Sequence, residues 1–347
     1  MERKEGRKIN LERKLGRIDN DYFFFRNAPK TIYSINSLTM SISLSHLHTY
    51  CGHTDTISAL AITPDGSYLI SGSYDKTLKV WALASGKEKY TLAGHYNHVT
   101  GVVVTPDSTS AISCAEDKSL KIWQLKTGTE QFYLQQAHFN RILALAITPD
   151  GSRIITGSRD HSLKVWDYAK LEREQELCTL TGHTHWINAV AVTPDGNQAI
   201  SAARDNTLKI WDLNRGQLLE TLQGHTYFVS AVAVTPDGSS IVSGSWDNTL
   251  KVWDLKTGDE IRTLTGHTDY IETVTVTPDG LYIISASYDK TLKIWALNTG
   301  ALLANFTTEE KLTRCVVTSD GKTIMLGDQV GHIRVLSVMT SVPSGFA

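Results

Sequence analysis

The chain has 347 residues, 41% of them apolar and 20% charged, which is typical of a soluble globular protein with a large core. Its 34 Lys and Arg residues nearly balance 36 Asp and Glu residues, and a net charge of −2 indicates no broad basic surface for nucleic acid. The 4 cysteines stand far apart without a CxxC pair, which favours free thiols in a reducing, cytoplasmic compartment over disulfides or a zinc site. No apolar run approaches the roughly 20 residues of a membrane span, and the charged start does not resemble a signal peptide.

Residues 1–43 match no other part of the chain and begin with a basic stretch. Leu11, Leu15 and Ile18 fall on one face of a helix, so a short helix is one interpretation of the segment. The apolar run DYFFF at residues 21–25 is exposed unless it docks somewhere. We interpret the segment as a linker to another domain, with a helix on a membrane surface or a partner as the alternative.

The rest of the chain repeats with a period of about 42 residues, and most units carry three landmarks. A Gly-His pair, or Ala-His in one unit, comes first; a Thr-Pro-Asp turn follows, and a segment such as LKVW ends in tryptophan. The histidines are His53, His95, His138, His183, His225 and His267; the prolines are Pro64, Pro106, Pro149, Pro194, Pro236 and Pro278; the tryptophans are Trp81, Trp123, Trp166, Trp211, Trp253 and Trp295.

Each unit is predicted to form four short strands, which we call a to d. A β-branched run such as ISALAIT is strand a, and the Thr-Pro-Asp-Gly turn joins it to strand b, such as YLISGS. An Asp-containing turn leads to strand c, LKVW, and a Gly-bearing turn leads to strand d. Four strands at this period form one blade of a β-propeller, and neighbouring blades must stack because one blade cannot bury both faces alone.

A seventh unit lacks the landmarks and is predicted to close the ring. It has Thr308 in place of the histidine, Val330 in place of the turn aspartate and Leu336 in place of the tryptophan. Residues 45–50 align with strand d of other units, so we expect them to complete the blade whose strands a to c lie at about residues 310–338. Such closure leaves no open sheet edge. The predicted domains are an extension (1–43), a seven-bladed propeller (44–338) and a carboxyl-terminal tail (339–347).

The pattern GH…TPDG…SGSYDKTLKVW resembles the WD-repeat β-propeller family over roughly residues 45–338. The Trp-Asp dipeptide survives only at Trp166, Trp211 and Trp253. The close similarity of the units and the eroded closing unit are similar to the carboxyl-terminal propellers of bacterial NB-ARC or NACHT signalling ATPases. That resemblance implies a ligand sensor, and any ATPase would be a separate chain.

Each of the six units that carry all three landmarks also contains His, Ser or Thr, and Asp, which are the residue types of a serine hydrolase. The serines fall inside strand b rather than on an exposed nucleophile turn, which argues against catalysis. The resemblance implies instead a structural tetrad in which Trp, Ser or Thr, His and Asp hydrogen-bond in series. The tetrads would be His53, Ser71, Asp75 and Trp81; His95, Ser113, Asp117 and Trp123; His138, Thr156, Asp160 and Trp166; His183, Ser201, Asp205 and Trp211; His225, Ser243, Asp247 and Trp253; and His267, Ser285, Asp289 and Trp295.

Variation between units is concentrated in the d–a loops and b–c turns, which form one face, here called the top face. In peptide-binding members of the family these positions ring the mouth of the central channel. The predicted contact residues are Tyr74, His98, Arg141, Arg159, His185, Trp186, Arg204, Phe228, Trp246, Tyr270 and Tyr288. Trp, Tyr and Arg are the residues that dominate binding energy at interfaces, so we expect a ligand with an acidic part and an apolar or aromatic part. The alternative is that these large side chains only cap the channel.

These features favour a non-enzymatic platform for a protein or peptide, monomeric as a domain, with no cofactor and no metal. The alternative is a structural scaffold that uses the sides and the opposite, bottom face. A propeller enzyme is a remote third reading, because His98, Glu116, His185 and Glu272 are too few and too spread over the units to form a catalytic cluster.

Overall fold

The computed structural model of the chain describes residues 41–341. Within that range 28 strands form seven sheets of four strands each. The expectations for residues 1–40, including the helix around Leu15, lie outside the described part, as do those for residues 342–347.

The first three blades follow the chain in the order a, b, c, d. Blade one is β2 (Ile57–Ile62), β3 (Tyr68–Ser73), β4 (Thr77–Ala82) and β5 (Lys87–Ala93); blade two is β6 (Val99–Val104), β7 (Ser110–Ala115), β8 (Leu120–Gln124) and β9 (Thr129–Leu134); blade three is β10 (Ile142–Ile147), β11 (Arg153–Ser158), β12 (Ser162–Asp167) and β13 (Glu176–Thr181). A short 3-10 helix, Tyr168–Arg173, occupies the longer c–d connection of blade three.

The remaining blades repeat the pattern until the last. Blade four is β14 (Ile187–Val192), β15 (Gln198–Ala203), β16 (Thr207–Asp212) and β17 (Gln217–Gln223); blade five is β18 (Val229–Val234), β19 (Ser240–Ser245), β20 (Thr249–Asp254) and β21 (Glu260–Thr265); blade six is β22 (Ile271–Val276), β23 (Tyr282–Ser287), β24 (Thr291–Ala296) and β25 (Leu302–Thr307). Blade seven is β26 (Leu312–Val317), β27 (Thr323–Asp328), β28 (His332–Ser341) and, as its outer strand, β1 (Ser41–Cys51).

The predicted seven-bladed ring and its closure are confirmed. Strand β1 pairs antiparallel with β28, so the two ends of the described chain share one sheet. The pairing runs from Ser41↔Ser341 to Cys51↔His332, which is longer at both ends than the predicted limits of 44 and 338. Strands a of neighbouring blades contact one another all the way round, including β26 with β2, so the ring has no gap.

The core lies between blades because each blade presents an apolar face to the next one. One cluster joins Ile70, Leu78 and Val80 of blade one to Val102 and Trp123 of blade two, and comparable clusters fill the other junctions. These side chains are at most 7% exposed, and burial of a single one contributes about 1.5–3 kcal/mol. Because the cores are shared, each blade depends on both of its neighbours.

The antiparallel order places the a–b and c–d turns at one end of every sheet and the b–c turns and d–a loops at the other. The a–b turns of the bottom face contain glycines with positive φ, such as Gly66 at 70°, a conformation that glycine adopts without steric cost. The top face therefore collects the segments in which the units differ. No helix in the described range is long and apolar enough to cross a membrane.

Strand c of the regular blades carries a lysine that ties it to strand d. In blade one, Lys79 is 9% exposed and its Nζ donates to Glu88 Oε2 at 2.9 Å and to Thr91 Oγ1 at 2.8 Å. Blade seven replaces this arrangement with Arg334, which pairs with the fully buried Asp328. Asp328 Oδ1 also accepts the backbone N–H groups of Val330 and His332 at 3.0 and 2.9 Å, so the b–c turn remains bonded without the tetrad aspartate.

Tyr50 on β1 provides a test of ring closure. It is 4% exposed, and its ring stacks on Trp81 of blade one with centroids 5.2 Å apart. Tyr50→Ala should destabilise the protein by about 3 kcal/mol, since it removes a buried aromatic ring at the junction. The measurement is the denaturant midpoint. Leu47→Ala on the same strand, where the side chain is 53% exposed, is the matched control and should change the midpoint little; equal effects of the two variants would contradict the role of Tyr50.

Candidate functional site

Hydrogen bonds connect the tetrad side chains of blade one in series. Trp81 Nε1 donates to Ser71 Oγ at 2.9 Å, Ser71 Oγ lies 2.8 Å from His53 Nε2, and His53 Nδ1 lies 2.7 Å from Asp75 Oδ2. The same series occurs in the first six blades, with His-to-Asp distances between 2.7 and 3.0 Å. Asp75 Oδ2 also accepts the backbone N–H of Thr54 at 3.1 Å, so the series ties the d–a loop to strands b and c.

The chemistry of the groups fixes the direction of these bonds. Burial alone would raise the pKa of Asp75, but the hydrogen bonds from His53 and Thr77 outweigh it and hold that pKa well below its usual range. An ionised carboxylate only accepts, so His53 Nδ1 donates to Asp75 and, in the neutral ring, Nε2 accepts from Ser71. The Ser71 oxygen in turn accepts from the Trp81 indole, so every polar group of the series has a partner.

The buried hydroxyl groups of the tetrads argue against a serine-hydrolase site. All six tetrad Ser and Thr residues are 0% exposed and lie under the tryptophan and histidine rings. A nucleophile in that position would not meet a substrate. The described residues also contain no group of three or more His, Cys, Asp or Glu side chains that could hold a metal ion. His183 and His185 stand one residue apart in the sequence, but only His183 belongs to a tetrad.

A β-bulge aims one residue of every strand a at the centre of the ring. The register between strands a and b shifts at Ser58, Thr100, Leu143, Asn188, Ser230, Glu272 and Thr313. Five of these side chains hydrogen-bond a backbone carbonyl of the next blade, as Ser58 Oγ does to Val99 O at 2.5 Å and Thr313 Oγ1 to Ile57 O at 2.6 Å. Leu143 and Glu272 are the two positions without such a bond.

Six of the seven bulge residues, all but Thr313, and the residues before the six turn aspartates line a central channel with a cavity of about 210 Å³. The lining residues are Ser58, Tyr74, Thr100, Glu116, Leu143, Arg159, Asn188, Arg204, Ser230, Trp246, Glu272, Tyr288 and Arg314. Five of the predicted contact residues are among them: Tyr74, Arg159, Arg204, Trp246 and Tyr288. The other six are not among the lining residues. His98, Arg141, Trp186, Phe228 and Tyr270 contact lining residues, and His185 contacts Trp186 and Phe228.

Glu116 engages two of the predicted contact arginines. It is 8% exposed and lies 2.6 Å from Arg141 Nη1 and 3.1 Å from Arg159 Nη2, with His98 Nδ1 at 3.6 Å. We expected these arginines to be free for an acidic ligand; instead, an internal carboxylate already neutralises part of their charge. The sequence analysis did not predict this pairing, because Glu116 and Arg141 belong to different blades.

Trp186 lies between two guanidinium groups. The Cζ atoms of Arg159 and Arg204 lie 4.0 and 4.4 Å from its ring centroid, and Arg204 also lies 5.1 Å from the ring centroids of Phe228 and Trp246. Burial, and the positive charge of Arg159, lower the pKa of Arg204. Arg204 Nε hydrogen-bonds Asn188 Oδ1 at 3.3 Å, but none of its nitrogens is within 4.0 Å of a carboxylate of the described residues.

Aromatic rings continue round the channel mouth from blade five to blade six. Phe228 stacks on Tyr227 with centroids 4.3 Å apart, and Trp246 stacks on Tyr270 at 4.6 Å with an interplanar angle of 7°. Tyr288 lies 6.3 Å from Tyr270. We call the set Trp186, Phe228, Trp246, Tyr270 and Tyr288, together with Arg159 and Arg204, the aromatic–arginine cluster.

The cluster is partly packed and partly open to solvent. Trp186 and Trp246, the two tryptophans outside the tetrads, are both half-buried. Tyr74, across the mouth, is 37% exposed and stacks on His98 at 4.5 Å. Burial raises the pKa of the Tyr74 phenol. The rings cap the channel through contacts with one another while their outer faces stay accessible.

Two residues at the mouth were missed by the sequence analysis. Tyr227 is 42% exposed and contacts Phe228, Trp246 and Tyr270, but it precedes the variable position and so was not singled out. Arg314 lines the channel from blade seven. The units align Arg314 with the small residues Ala59 and Gly101, and a long cation at a small-residue position was a signal that could have identified it.

Comparisons with known proteins agree with this architecture. Residues 44–82, 86–124 and 129–167 match the family model of the WD domain, G-beta repeat, and residues 186–342 match the model of the IFT122 first beta-propeller. The protein is thus a WD-repeat β-propeller. The matched repeats begin with strand d of the preceding blade, as in 44–82, and this stagger explains why β1 must complete blade seven. WD-repeat propellers are typically interaction scaffolds rather than catalysts.

The similarity to individual curated proteins is local. The Ribosome biogenesis protein BOP1 homologs of Drosophila erecta and Drosophila melanogaster are 50% identical over 38 residues, and that of Drosophila willistoni is 47% identical over 38 residues. Each match covers 11% of this chain and 5% of the relative. That length is about one repeat, so the matches support the fold of a unit and not a shared role.

Ser71→Ala tests the tetrad of blade one. It leaves the Trp81 indole N–H and His53 Nε2 buried without their partner, which should cost roughly 2–4 kcal/mol of unfolding free energy. Denaturant unfolding measures the effect. Ser85→Ala, an exposed serine in the c–d turn of the same blade, is the control and should be nearly neutral; a neutral Ser71→Ala would show that the series does not stabilise the blade.

The tetrad aspartates also predict acid sensitivity. Hydrogen bonds from the histidines outweigh burial and hold the pKa of Asp75 and Asp205 below their usual value. Since the unfolded-state pKa is about 3.9, this stabilisation is complete above that value and is lost as pH falls through the lower, folded-state pKa. The urea midpoint should therefore drop from about pH 5 downward.

Two variants, one in blade four and one in blade five, isolate the contribution of a tetrad aspartate to the acid sensitivity. Asp205→Asn should lower the midpoint at pH 7 and flatten its decline with acid, because the ionised partner of His183 is gone. Asp259→Asn, whose exposed carboxylate accepts no hydrogen bond from the described residues, should leave the profile unchanged. An unchanged slope in Asp205→Asn would contradict the assignment.

Proposed function

We propose that the protein is a binding platform whose top face holds a peptide or an exposed segment of another protein. The observation that carries the proposal is the aromatic–arginine cluster, in which Trp186 lies 4.0 and 4.4 Å from two guanidinium carbons at the channel mouth. Trp, Tyr and Arg dominate the binding energy of interfaces when they are clustered near the centre. The eleven predicted contact residues and Tyr227 form the proposed contact surface.

Contacts among the side chains of this surface already order them, which favours binding. Trp246 is held by Tyr270 at 4.6 Å and by a hydrogen bond from its Nε1 to Glu272 at 2.9 Å. Trp186 is held between Arg159 and Arg204. Side chains that are already ordered lose little rotamer entropy when a partner arrives, so more of the contact energy contributes to affinity.

The chemistry of the surface selects the ligand class. The exposed parts of Tyr227 and Phe228 suit an apolar or aromatic side chain, while Arg204 suits an acidic one. Arg141 and Arg159 contribute less to acid recognition than the sequence analysis expected, because Glu116 already pairs with them. The ligand is a peptide that carries both kinds of group.

The wider setting is part of the same proposal. The propeller is a monomeric, ligand-sensing domain in a bacterial cytoplasmic signalling system of the kind in which NB-ARC or NACHT ATPases act. Its support is the resemblance of the six nearly uniform units and the eroded closing unit to the propellers of such ATPases. The amino-terminal extension acts as a linker up to β1, which begins at Ser41, three residues inside the predicted extension of 1–43, and the propeller runs to the end of β28 at Ser341.

A second candidate surface lies on the bottom face between blades four and five. A cavity of about 590 Å³ is lined there by Thr193, Pro194, Gln198, Leu255 and Lys256 among others. Leu281, on the same face, is 56% exposed. These features favour the alternative in which the bottom face and sides act as the scaffold, so the test must compare both faces.

Selection from a displayed random peptide library, followed by calorimetry on the selected peptides, tests the proposal. Trp186→Ala should weaken binding by about 2 kcal/mol, which is roughly 30-fold, because it removes the ring at the centre of the cluster. Leu281→Ala removes an exposed apolar side chain from the bottom face and should leave affinity unchanged.

Thermal midpoints of both variants establish that the fold is intact. If the selected peptides bind Trp186→Ala as tightly as the wild type, the top-face proposal fails. Loss of binding in Leu281→Ala instead would assign the interaction to the bottom face. A library that yields no binder on the wild-type chain also counts against a peptide platform.

A further inference from the structure

Glu272 departs from the pattern of the inner ring. Five of the seven bulge residues use a short polar side chain to bond the next blade, but Glu272 does not bond the carbonyl of Leu312, its counterpart in blade seven. Its carboxylate lies in the channel instead, where Oε1 accepts from Trp246 Nε1 at 2.9 Å. The position therefore lacks the bond to the backbone of the next blade, bonds the tryptophan of the preceding blade instead and places an acid at the centre of the ring.

The groups that face Glu272 come from five blades. Trp246 approaches from blade five, Arg204 from blade four, Arg314 from blade seven and Tyr74 from blade one. Tyr288 and Asp269 of its own blade complete the surroundings. Arg204 and Arg314 are the cations nearest Glu272, while the other carboxylate of the channel lining, Glu116, is paired with Arg159.

Neither cation is satisfied by a protein carboxylate. Arg314 Nη1 donates to Thr313 O at 2.7 Å and Arg204 Nε to Asn188 Oδ1 at 3.3 Å, so most of the five N–H donors of each guanidinium remain for another acceptor. Within residues 41–341, no carboxylate oxygen comes within 4.0 Å of a nitrogen of either arginine. This contrasts with Arg141 and Arg159, which share Glu116.

We propose that the channel binds an oxyanion of the docked peptide, a carboxylate or a phosphate, between Arg204 and Arg314, and that Glu272 takes up a proton as it binds. This inference rests on the proposed function, and the oxyanion is the part of the peptide that enters the channel deepest. The cavity of about 210 Å³ has room for an acidic side chain but not for a folded segment.

The coupling follows from electrostatics at close range. Burial raises the pKa of Glu272 to about 7, against the opposing effects of Arg314, the Trp246 hydrogen bond and Arg204. A bound oxyanion adds a like charge and excludes water, and both effects raise that pKa further. The protonated form binds the anion better, since it removes repulsion and its O–H can donate to the ligand.

The affinity for the acidic peptide should therefore rise as the pH falls. The pKa of Glu272 is higher in the complex than in the free protein, so binding strengthens as pH falls through about 7. A rise of about two pKa units on binding gives roughly tenfold tighter binding at pH 6 than at pH 8. An isolated carboxylate ligand that met only arginines would show no such dependence in this range.

The test uses the peptides selected on the wild-type chain, each with its acidic residue as Glu, as Gln and as phosphoserine. Calorimetry at pH 6 and pH 8, in buffers of different ionisation enthalpy, measures affinity and proton uptake. We expect the Glu or the phosphoserine form to bind at least tenfold more tightly than the Gln form, and the tighter of the two identifies the source of the oxyanion. Proton uptake is read from the Glu form, because phosphoserine itself titrates near pH 6.

Three variants separate the contributions. Glu272→Gln mimics the protonated acid and keeps an acceptor for Trp246, so it should bind tightly at both pH values without proton uptake. Arg314→Gln should abolish the preference for the acidic peptide, and Arg314→Lys should retain part of it if the fold is intact. Arg215→Gln is the charge-matched control, because Arg215 is exposed on a bottom-face turn of blade four.

The outcomes distinguish the two proposals. Peptides that require Trp186 but bind equally in Glu and Gln forms would overturn the oxyanion site and leave the top-face platform standing. A tenfold acid preference with no proton uptake, unchanged in Glu272→Gln, would overturn the role of Glu272. Peptides that do not depend on Trp186 defeat the platform itself.

Discussion

The hydrogen-bonded series Trp–Ser–His–Asp fixes the top-face loops of the first six blades, which carry the predicted contact residues. Each histidine lies in the loop that leaves the outer strand of one blade for the inner strand of the next, as His183 does between β13 and β14. Its bonds to Ser201 and Asp205 fix that loop to the second blade. The residue three positions later, Trp186, is therefore presented at the channel mouth from a fixed backbone. Six repetitions of this constraint allow the residues between them to vary without loss of the ring.

The same scaffold concentrates charge and aromatic surface on one side of the mouth. Blades two and three provide a group in which Glu116 binds two arginines and offsets part of their charge. Blades four to seven provide stacked rings with Arg204 and Arg314 below them. A rigid ring can hold three arginines in one small channel because its hydrogen-bonded strands resist the repulsion between them. Among the lining residues, the three arginines outnumber the two carboxylates, Glu116 and Glu272.

The fold was predictable because it follows from periodic local signals. The spacing of histidines, turns and tryptophans predicted seven blades, and the alignment of residues 45–50 with a fourth strand predicted the closure, both of which the structure confirms. The candidate site was harder to predict from the sequence. The bulge that turns Glu272 into the channel and the pairing of Arg141 with Glu116 depend on contacts between blades, which a single repeat does not encode. The roles of the contact residues and the limits of the amino-terminal linker remain predictions.

The clasp between β1 and β28 has a consequence for how the chain folds during synthesis. Strand β1 emerges from the ribosome first, but its partner, His332–Ser341, is made about 280 residues later, which takes tens of seconds at typical rates. Blades one to six can assemble on their neighbours in the meantime, while an eleven-residue strand waits with an unpaired edge. The mixed sequence of β1, SISLSHLHTYC, alternates apolar and polar residues and carries two histidines instead of a continuous apolar run. Because the strand carries no proline, no glycine and no Asp, Glu, Lys or Arg, its unpaired edge is open to other chains until β28 is made, and this wait is the interval in which the nascent ring is most exposed to self-association.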